Sequence, residues 1–179
     1  MGATAQVMRG AVIPATAPAG SQASLRLPGA YFHDCYQIAA PDANASALEL
    51  YMHVVGQTPG WVNRLMALRN LLVGLAGLKN LGHLGALNAA KPIAEYRIGD
   101  RVGIFSLLYL SPDEVLLGDS DKHLDVVLSV CKVPQGAVSI TTVVHVHNWL
   151  GRLYMLPVTP LHKIIVKTML KRTASLPSL

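Results

Sequence analysis

Two segments in the second half of the chain alternate apolar and polar residues with a period of two, the mark of strands with unlike faces. From Leu124 to Val133, the residues Leu124, Val126, Leu128 and Val130 share one face, and Asp125, Val127, Ser129 and Cys131 share the other. From Val138 to His147, the residues Val138, Ile140, Thr142, Val144 and Val146 oppose Ser139, Thr141, Val143, His145 and His147. Pro134-Gln135-Gly136 between them reads as a turn, so the two strands pair antiparallel. Matching faces fix the register, because a one-residue slip would set the aliphatic set opposite the polar set. That register puts Asp125 opposite His145 and His123 opposite His147.

The remaining pattern predicts a strand, two helices, more strands and a closing helix. Residues 1–24 are rich in Ala, Gly, Pro and Ser without period and read as an irregular arm, ordered only if packed on something. Arg26 to Ala40 reads as a first strand, stopped by Pro41 and Asp42. Asn44 is the expected N-cap of a helix with Ala45, Leu48, Tyr51, Met52 and Val55 at helical spacing, ending at Gly56. Thr58 is expected to cap a second helix with Pro59 in its first position and Trp61, Leu65, Leu68, Leu72 and Ala76 as its stripe. Gly74 to Asn88 holds four glycines and reads as a helix end or a loop. Val102 to Leu110 reads as one strand ending at Ser111-Pro112-Asp113, and Glu114 to Leu117 as a short one ending at Gly118-Asp119.

After the strands, Asn148 is expected to cap Trp149 to Leu156, with Pro157 as an interruption. Thr159 and Pro160 then start the last helix. Leu161, Ile164, Ile165, Thr168 and Met169 are expected inward, and Lys163, Lys167 and Lys171 outward. The sum is an α+β fold: a curved antiparallel sheet packed on a long C-terminal helix, with two helices inserted after the first strand, helix-grip-like. The expected layout is an arm at 1–24, one domain at 25–173 and a tail at 174–179.

Composition narrows the function classes. Of 179 residues, 51% are hydrophobic and 14% charged, so the chain has ample material for one core and none of the character of a disordered segment. The excess of apolar residues points to surface covered by a second copy or to a hollow interior. No run is long enough to cross a bilayer and no signal-peptide pattern appears, so a cytoplasmic protein is expected. Cys35 and Cys131 make no disulfide framework. The formal charge of +5 is uneven: seven of the ten acids lie between Glu95 and Asp125, and Arg152 onward carries Lys163, Lys167, Lys171 and Arg172 with no acid. No aromatic platform or motif accompanies these cations, so no nucleic-acid partner is expected.

Four segments resemble a known family: Pro59-Gly60-Trp61-Val62-Asn63-Arg64-Leu65-Met66; His123-Leu124-Asp125 with Ser129-Val130; Asn148-Trp149-Leu150-Gly151-Arg152-Leu153-Tyr154; and Pro160-Leu161-His162. They are similar to a bacterial family catalogued as domain of unknown function 2867, over about Ala30 to Arg172. The resemblance implies no activity. In some relatives this region follows a nucleotide-binding reductase domain, but no Gly-rich dinucleotide fingerprint occurs here. Placement among START-like, helix-grip folds follows from element order.

Candidate chemistry is sparse. His123, Asp125, His145 and His147 offer i, i+2 pairs on two adjacent strands, donors that suit Zn²⁺ or Fe²⁺. The favoured alternative is a polar outer face with Asp125 and His145 as a cross-strand pair, and no metal or other cofactor is expected. A cavity between sheet and helix would be walled by Leu124, Val126, Leu128, Ile140, Val144 and Val146, with Ile164, Ile165 and Met169 opposite. A filled core is the plainer reading of the same stripe. Arg152 and Tyr154 offer a fork for a carboxylate, or form a corner with Trp149 as packing and Arg152 paired to an acid. His162, early in the closing helix, offers an ionisable imidazole, and the favoured alternative is a partly buried helix residue. No nucleophile motif occurs, and Cys35 with His33 lacks an orienting third group.

The leading expectation is therefore binding of a small hydrophobic molecule in that cavity. The alternatives are a cyclase, dehydratase or hydrolase using Asp125 and His145 as an acid/base pair, and a homodimeric interaction domain.

Overall fold

The computed structural model describes residues 8–75 and 91–175. Its core is one seven-stranded, wholly antiparallel sheet in the spatial order β1-β2-β7-β6-β5-β4-β3. The strands are β1 (Ile13–Pro14), β2 (Phe32–Ala39), β3 (Arg101–Val102), β4 (Phe105–Leu110), β5 (Glu114–Ser120), β6 (Leu124–Val133) and β7 (Ala137–Val146). The helices are α1 (Ala47–Gly56) and α2 (Gly60–Leu75), inserted after β2, and α3 (Trp149–Ser175), which closes the chain. The fold is α+β, with the long C-terminal helix and the inserted pair in the helix-grip-like order.

The β6–β7 register is the one that matched faces demand: Asp125 pairs with His145, and the N–H of His147 donates to the carbonyl of His123 at 2.9 Å. The turn is made by Gln135 and Gly136, both at positive φ. One sheet face carries Tyr36, Ile38, Val115, Leu117, Val130, Val138 and Ile140, which form the main core with Leu50, Tyr51 and Val54 of α1 and Met169 and Leu170 of α3. At ~25 cal/mol per Å² of apolar surface, burial of this layer is the main force holding helices to sheet.

The opposite face, expected to be open, is covered in its middle. Ser129, Ser139 and Thr141 are buried there, and Cys35 Sγ sits 3.1 Å from Ser139 Oγ. The N-terminal arm does the covering. Its Ile13–Pro14 adds to the sheet edge beside β2, with Pro14 at an edge where its missing N–H is tolerated. Farther along, the N–H groups of Gln22 and Ala23 donate to the carboxylate of Glu114 at 2.8 and 3.2 Å, and Ser129 Oγ donates to it at 2.8 Å. Glu114 is thus a buried acid whose acceptors are filled by the arm and by β6.

Several expected details change. Ser46, not Asn44, caps α1, in a reciprocal capping box with Glu49, while Asn44 donates its N–H to Asp42 in a preceding turn. Thr58 donates its hydroxyl to Val55 at the end of α1 rather than capping α2. In α2 Val62 is buried and Met66 packs on the core, whereas Trp61 and Leu68 are exposed; α2 is apolar on more than one side, so spacing alone does not select the inward stripe. Leu72 lies where only backbone is described, and Ala76 and most of the glycine-rich stretch lie outside the described residues.

The run Val102 to Leu110 folds into the β3–β4 hairpin, turning at Gly103 with φ of +65°. Strand β5 continues through Gly118 because that residue needs no side chain: a Cβ there would stand 2.7 Å from Leu108 Cδ1 and 2.8 Å from the carbonyl of Val126.

The largest change is in α3, which runs unbroken through Pro157 and Pro160. Each proline leaves one carbonyl four residues earlier without its N–H. Those residues, Leu153 and Leu156, are exposed, on the side of the helix away from the core. The buried stripe of the helix is Met155, Met169, Leu170, Thr173 and Ala174, with Ile165 and Val166 packed beside it. Leu161 and Ile164, expected inward, are exposed.

Candidate functional site

On the helix-facing side of β2 the period-two series is Phe32, Asp34, Tyr36, Ile38. Three members are apolar or aromatic and one is an acid. Asp34 pairs in register with Thr142 of β7, and Thr142 pairs in turn with Leu128 of β6. Next along the face, Phe32 pairs with Val144, which pairs with Val126. Asp34 and Thr142 are therefore side-by-side polar groups in a wall of Val126, Leu128, Ile140 and Val144.

Helix α3 passes over this point. His162 Nε2 donates to Asp34 Oδ1 at 3.2 Å, and the Asp34 side chain is only 10% exposed. The His162 ring meets Phe32 edge-on, with centroids 5.6 Å apart and planes at 85°. Lys163 Nζ lies 5.8 Å from the Phe32 centroid and Lys167 Nζ 5.6 Å from that of Tyr36, so two ammonium groups rim the site. Burial, and next the Asp34 charge, push the Tyr36 phenol above its ordinary pKa, so it stays a neutral hydrogen-bonding group.

One oxygen in this seam is buried without a hydrogen-bond partner, Thr142 Oγ1, and beside it the two oxygens of the buried Asp34 carboxylate share one donor, lying 3.2 Å each from His162 Nε2. A buried polar atom left unpaired costs about 1–3 kcal/mol. Here the unpaired hydroxyl sits beside a carboxylate on the register-paired residue of the same face. Other unpartnered atoms are Tyr51 Oη, His53 Nε2 and Asn63 Oδ1 on α1 and α2, and His123 Nε2 just before β6.

The residues singled out from sequence are distributed as follows. Asp125 and His145 are register partners, but their side chains part. Asp125 accepts from Ser120 Oγ and lies 2.9 Å from His147 Nε2, while His145 Nε2 lies 3.1 Å from the carbonyl of Pro28 in the arm. Asp125 and His147 are each 39% exposed in their side chains. His123 is buried and turned toward α3, its Nδ1 3.1 Å from Asn148 Oδ1. Among the described residues no three His, Cys, Asp or Glu side chains group as a metal site.

Of the proposed cavity walls, Ile140, Val144 and Met169 are buried, Leu124, Val126, Leu128, Val146 and Ile165 are half-buried, and Ile164 faces out. Arg152 is exposed, and Tyr154 Oη accepts from Arg69 Nε at 3.0 Å. Trp149, expected as packing, is exposed. Asn148 does cap α3, accepting the N–H of Gly151 at 3.1 Å.

Sequence reasoning passed over Asp34, and it named His162 without its partner. The available signal was a carboxylate at an apolar phase of a strand; the partner lies 128 residues away and no local spacing reports it.

A family model described as Protein of unknown function (DUF2867) matches residues 26–169, and the chain belongs to that family. No curated protein and no solved structure matches it.

Proposed function

We propose that this domain binds a small, mainly apolar molecule in the seam between the sheet and α3, with the molecule's polar end at Asp34 and Thr142. The observation that carries this reading is Thr142 Oγ1, buried without a partner on the strand next to the buried Asp34 carboxylate, whose two oxygens share the single Nε2 of His162. A ligand hydroxyl or amine donates to the carboxylate and satisfies both. Val126, Leu128 and Val144 take the apolar body, and Phe32 with His162 closes one side. A carboxylate end is disfavoured, because like charges at such a distance repel.

The test is native mass spectrometry of untagged protein, followed by thermal-shift titration with medium-chain alcohols, amines, fatty acids and alkanes. Alcohols or amines are expected to raise the melting temperature more than alkanes of equal length, and Asp34→Asn to weaken them roughly tenfold, the worth of one charge-assisted hydrogen bond. No carried-over ligand and no shift from any class would overturn the reading.

The Asp34–His162 hydrogen bond supports a second reading, acid–base chemistry on the bound molecule. Asp34 would orient the imidazole and leave Nδ1 to move a proton. In this reading Asp34 and His162 replace Asp125 and His145, whose side chains are engaged elsewhere on the opposite face. Turnover of an alcohol or ester that His162→Gln abolishes while binding survives would favour it.

A further inference from the structure

Away from the seam, α3 turns an apolar stripe to the outside. Trp149, Leu153, Leu156, Pro160 and Ile164 recur at intervals of four, three, four and four, one face of a helix. The four large side chains among them are 73%, 53%, 65% and 56% exposed. The stripe runs about 22 Å at 1.5 Å per residue. Arg152, Lys163, Lys167 and Lys171 border it, with the ammonium groups of Lys163 and Lys167 reaching back to the Phe32 and Tyr36 rings; Arg172 lies farther round the helix, and all five are exposed. No acid follows Asp125 in the sequence, so nothing on this helix offsets them.

Aliphatic and indole groups bordered by cations on one exposed helix face match the interfacial zone of an anionic bilayer, with Trp at the headgroup level and basic side chains at the phosphates. A second copy of the chain is the poorer occupant. A two-fold pairing of this face sets its cations against those of the second copy. Among the described residues no helix is long and apolar enough to cross a membrane, so the contact is one of lying on the surface.

We infer that the outer face of α3 docks on anionic membrane surfaces. The residues substituted to test it, Arg152, Leu153, Leu156 and Lys171, are not among those of the seam.

The experiment is sedimentation of the full chain with phosphatidylcholine vesicles, with and without 30 mol% (roughly, as anionic fraction) phosphatidylglycerol, in low and moderate salt. Binding is expected with the anionic vesicles and not with the neutral ones, weakening as salt rises. Leu153→Gln with Leu156→Gln, and separately Arg152→Gln with Lys171→Gln, should each lower partitioning roughly tenfold, at about 1 kcal/mol or less per side chain. Because all four residues are exposed, both variants should keep the wild-type melting temperature. Equal pelleting with neutral and anionic vesicles, no pelleting at all, or a dimer in lipid-free sedimentation equilibrium that Leu153→Gln with Leu156→Gln dissolves would each overturn the inference. Wild-type binding that neither double variant alters would overturn it as well. Vesicle binding that survives Asp34→Asn keeps this result separate from that of the seam.

Discussion

Gly151 lies directly under the carbonyl of His123: a Cβ added at Gly151 would stand 2.4 Å from that oxygen and 2.8 Å from Val146 Cγ1. Two segments that carry the family resemblance, His123-Leu124-Asp125 and Asn148 to Tyr154, therefore meet at one joint. The joint is locked on both sides. Asn148 Nδ2 donates to the carbonyl of Lys122, and Asn148 Oδ1 accepts from Gly151 while facing His123 Nδ1. It sets the angle at which α3 leaves the sheet, and so the height of His162 above Asp34. Gly151→Ala should cost about 1–3 kcal/mol, since the obstacle is backbone and cannot swing away. Gly60→Ala is the control: nothing lies within 4 Å of its Cβ position, and a first-turn alanine should be neutral or slightly stabilising. Urea unfolding of the two variants reads the difference.

The arm is expected to depend on Glu114. Glu114→Gln replaces an acceptor oxygen with a donor amide among three donors, those of Gln22, Ala23 and Ser129. A loss of about 3 kcal/mol is expected, from charged hydrogen bonds broken in a buried place. Limited proteolysis should then cut between residues 8 and 28 faster than in the wild type. Unchanged cleavage would mean the arm is held by β1 pairing alone.

The Ser46–Glu49 capping box gives the acid limb of stability a defined contributor. Hydrogen bonds from the Ser46 hydroxyl and then its backbone N–H hold the Glu49 carboxyl below its ordinary value. A depressed folded pKa stabilises fully above the unfolded value, and that stabilisation fades as pH falls through the unfolded value toward the folded one. Ser46→Ala should cost about 1 kcal/mol near neutral pH. Its deficit against wild type should shrink below about pH 4.3, the ordinary glutamate value, as the wild type loses the same bonds. A deficit that stays constant through that range would show the box to be unformed.

Thr142→Val tests the unpartnered hydroxyl itself. The substitution keeps the shape and removes an oxygen that nothing satisfies, so ligand-free protein should gain about 1 kcal/mol in chemical denaturation. A loss of stability would mean that Oγ1 has a partner after all.

Legibility in the sequence followed the physics of range. The β6–β7 register was readable because alternation over ten residues a strand leaves one pairing that buries the aliphatic set. The helix-grip-like order was readable from the succession of periods. The inward side of α3 was not: Leu161 and Ile164 compete with Ile165, Val166, Met169 and Leu170 for the buried side, and only the docked partner decides. Pro157 and Pro160 misled for the same reason, since the cost of a proline depends on whether the freed carbonyl meets water. The burial of Ser129, Ser139 and Thr141 depended on an arm with no period of its own. Asp34 looked like one acid among others until β7 and α3 stood on either side of it.

The most direct measurement is an isotope-filtered NMR spectrum of methyl-labelled protein with a medium-chain alcohol. Contacts from the alcohol to the methyls of Thr142, Leu128 and Val144, weakened on Asp34→Asn, are the expected result. Contacts confined to Leu153, Leu156 and Ile164 on the outer face would contradict a ligand site in the seam, and seam contacts equally strong with and without the Asp34 carboxylate would contradict Asp34 as its polar anchor.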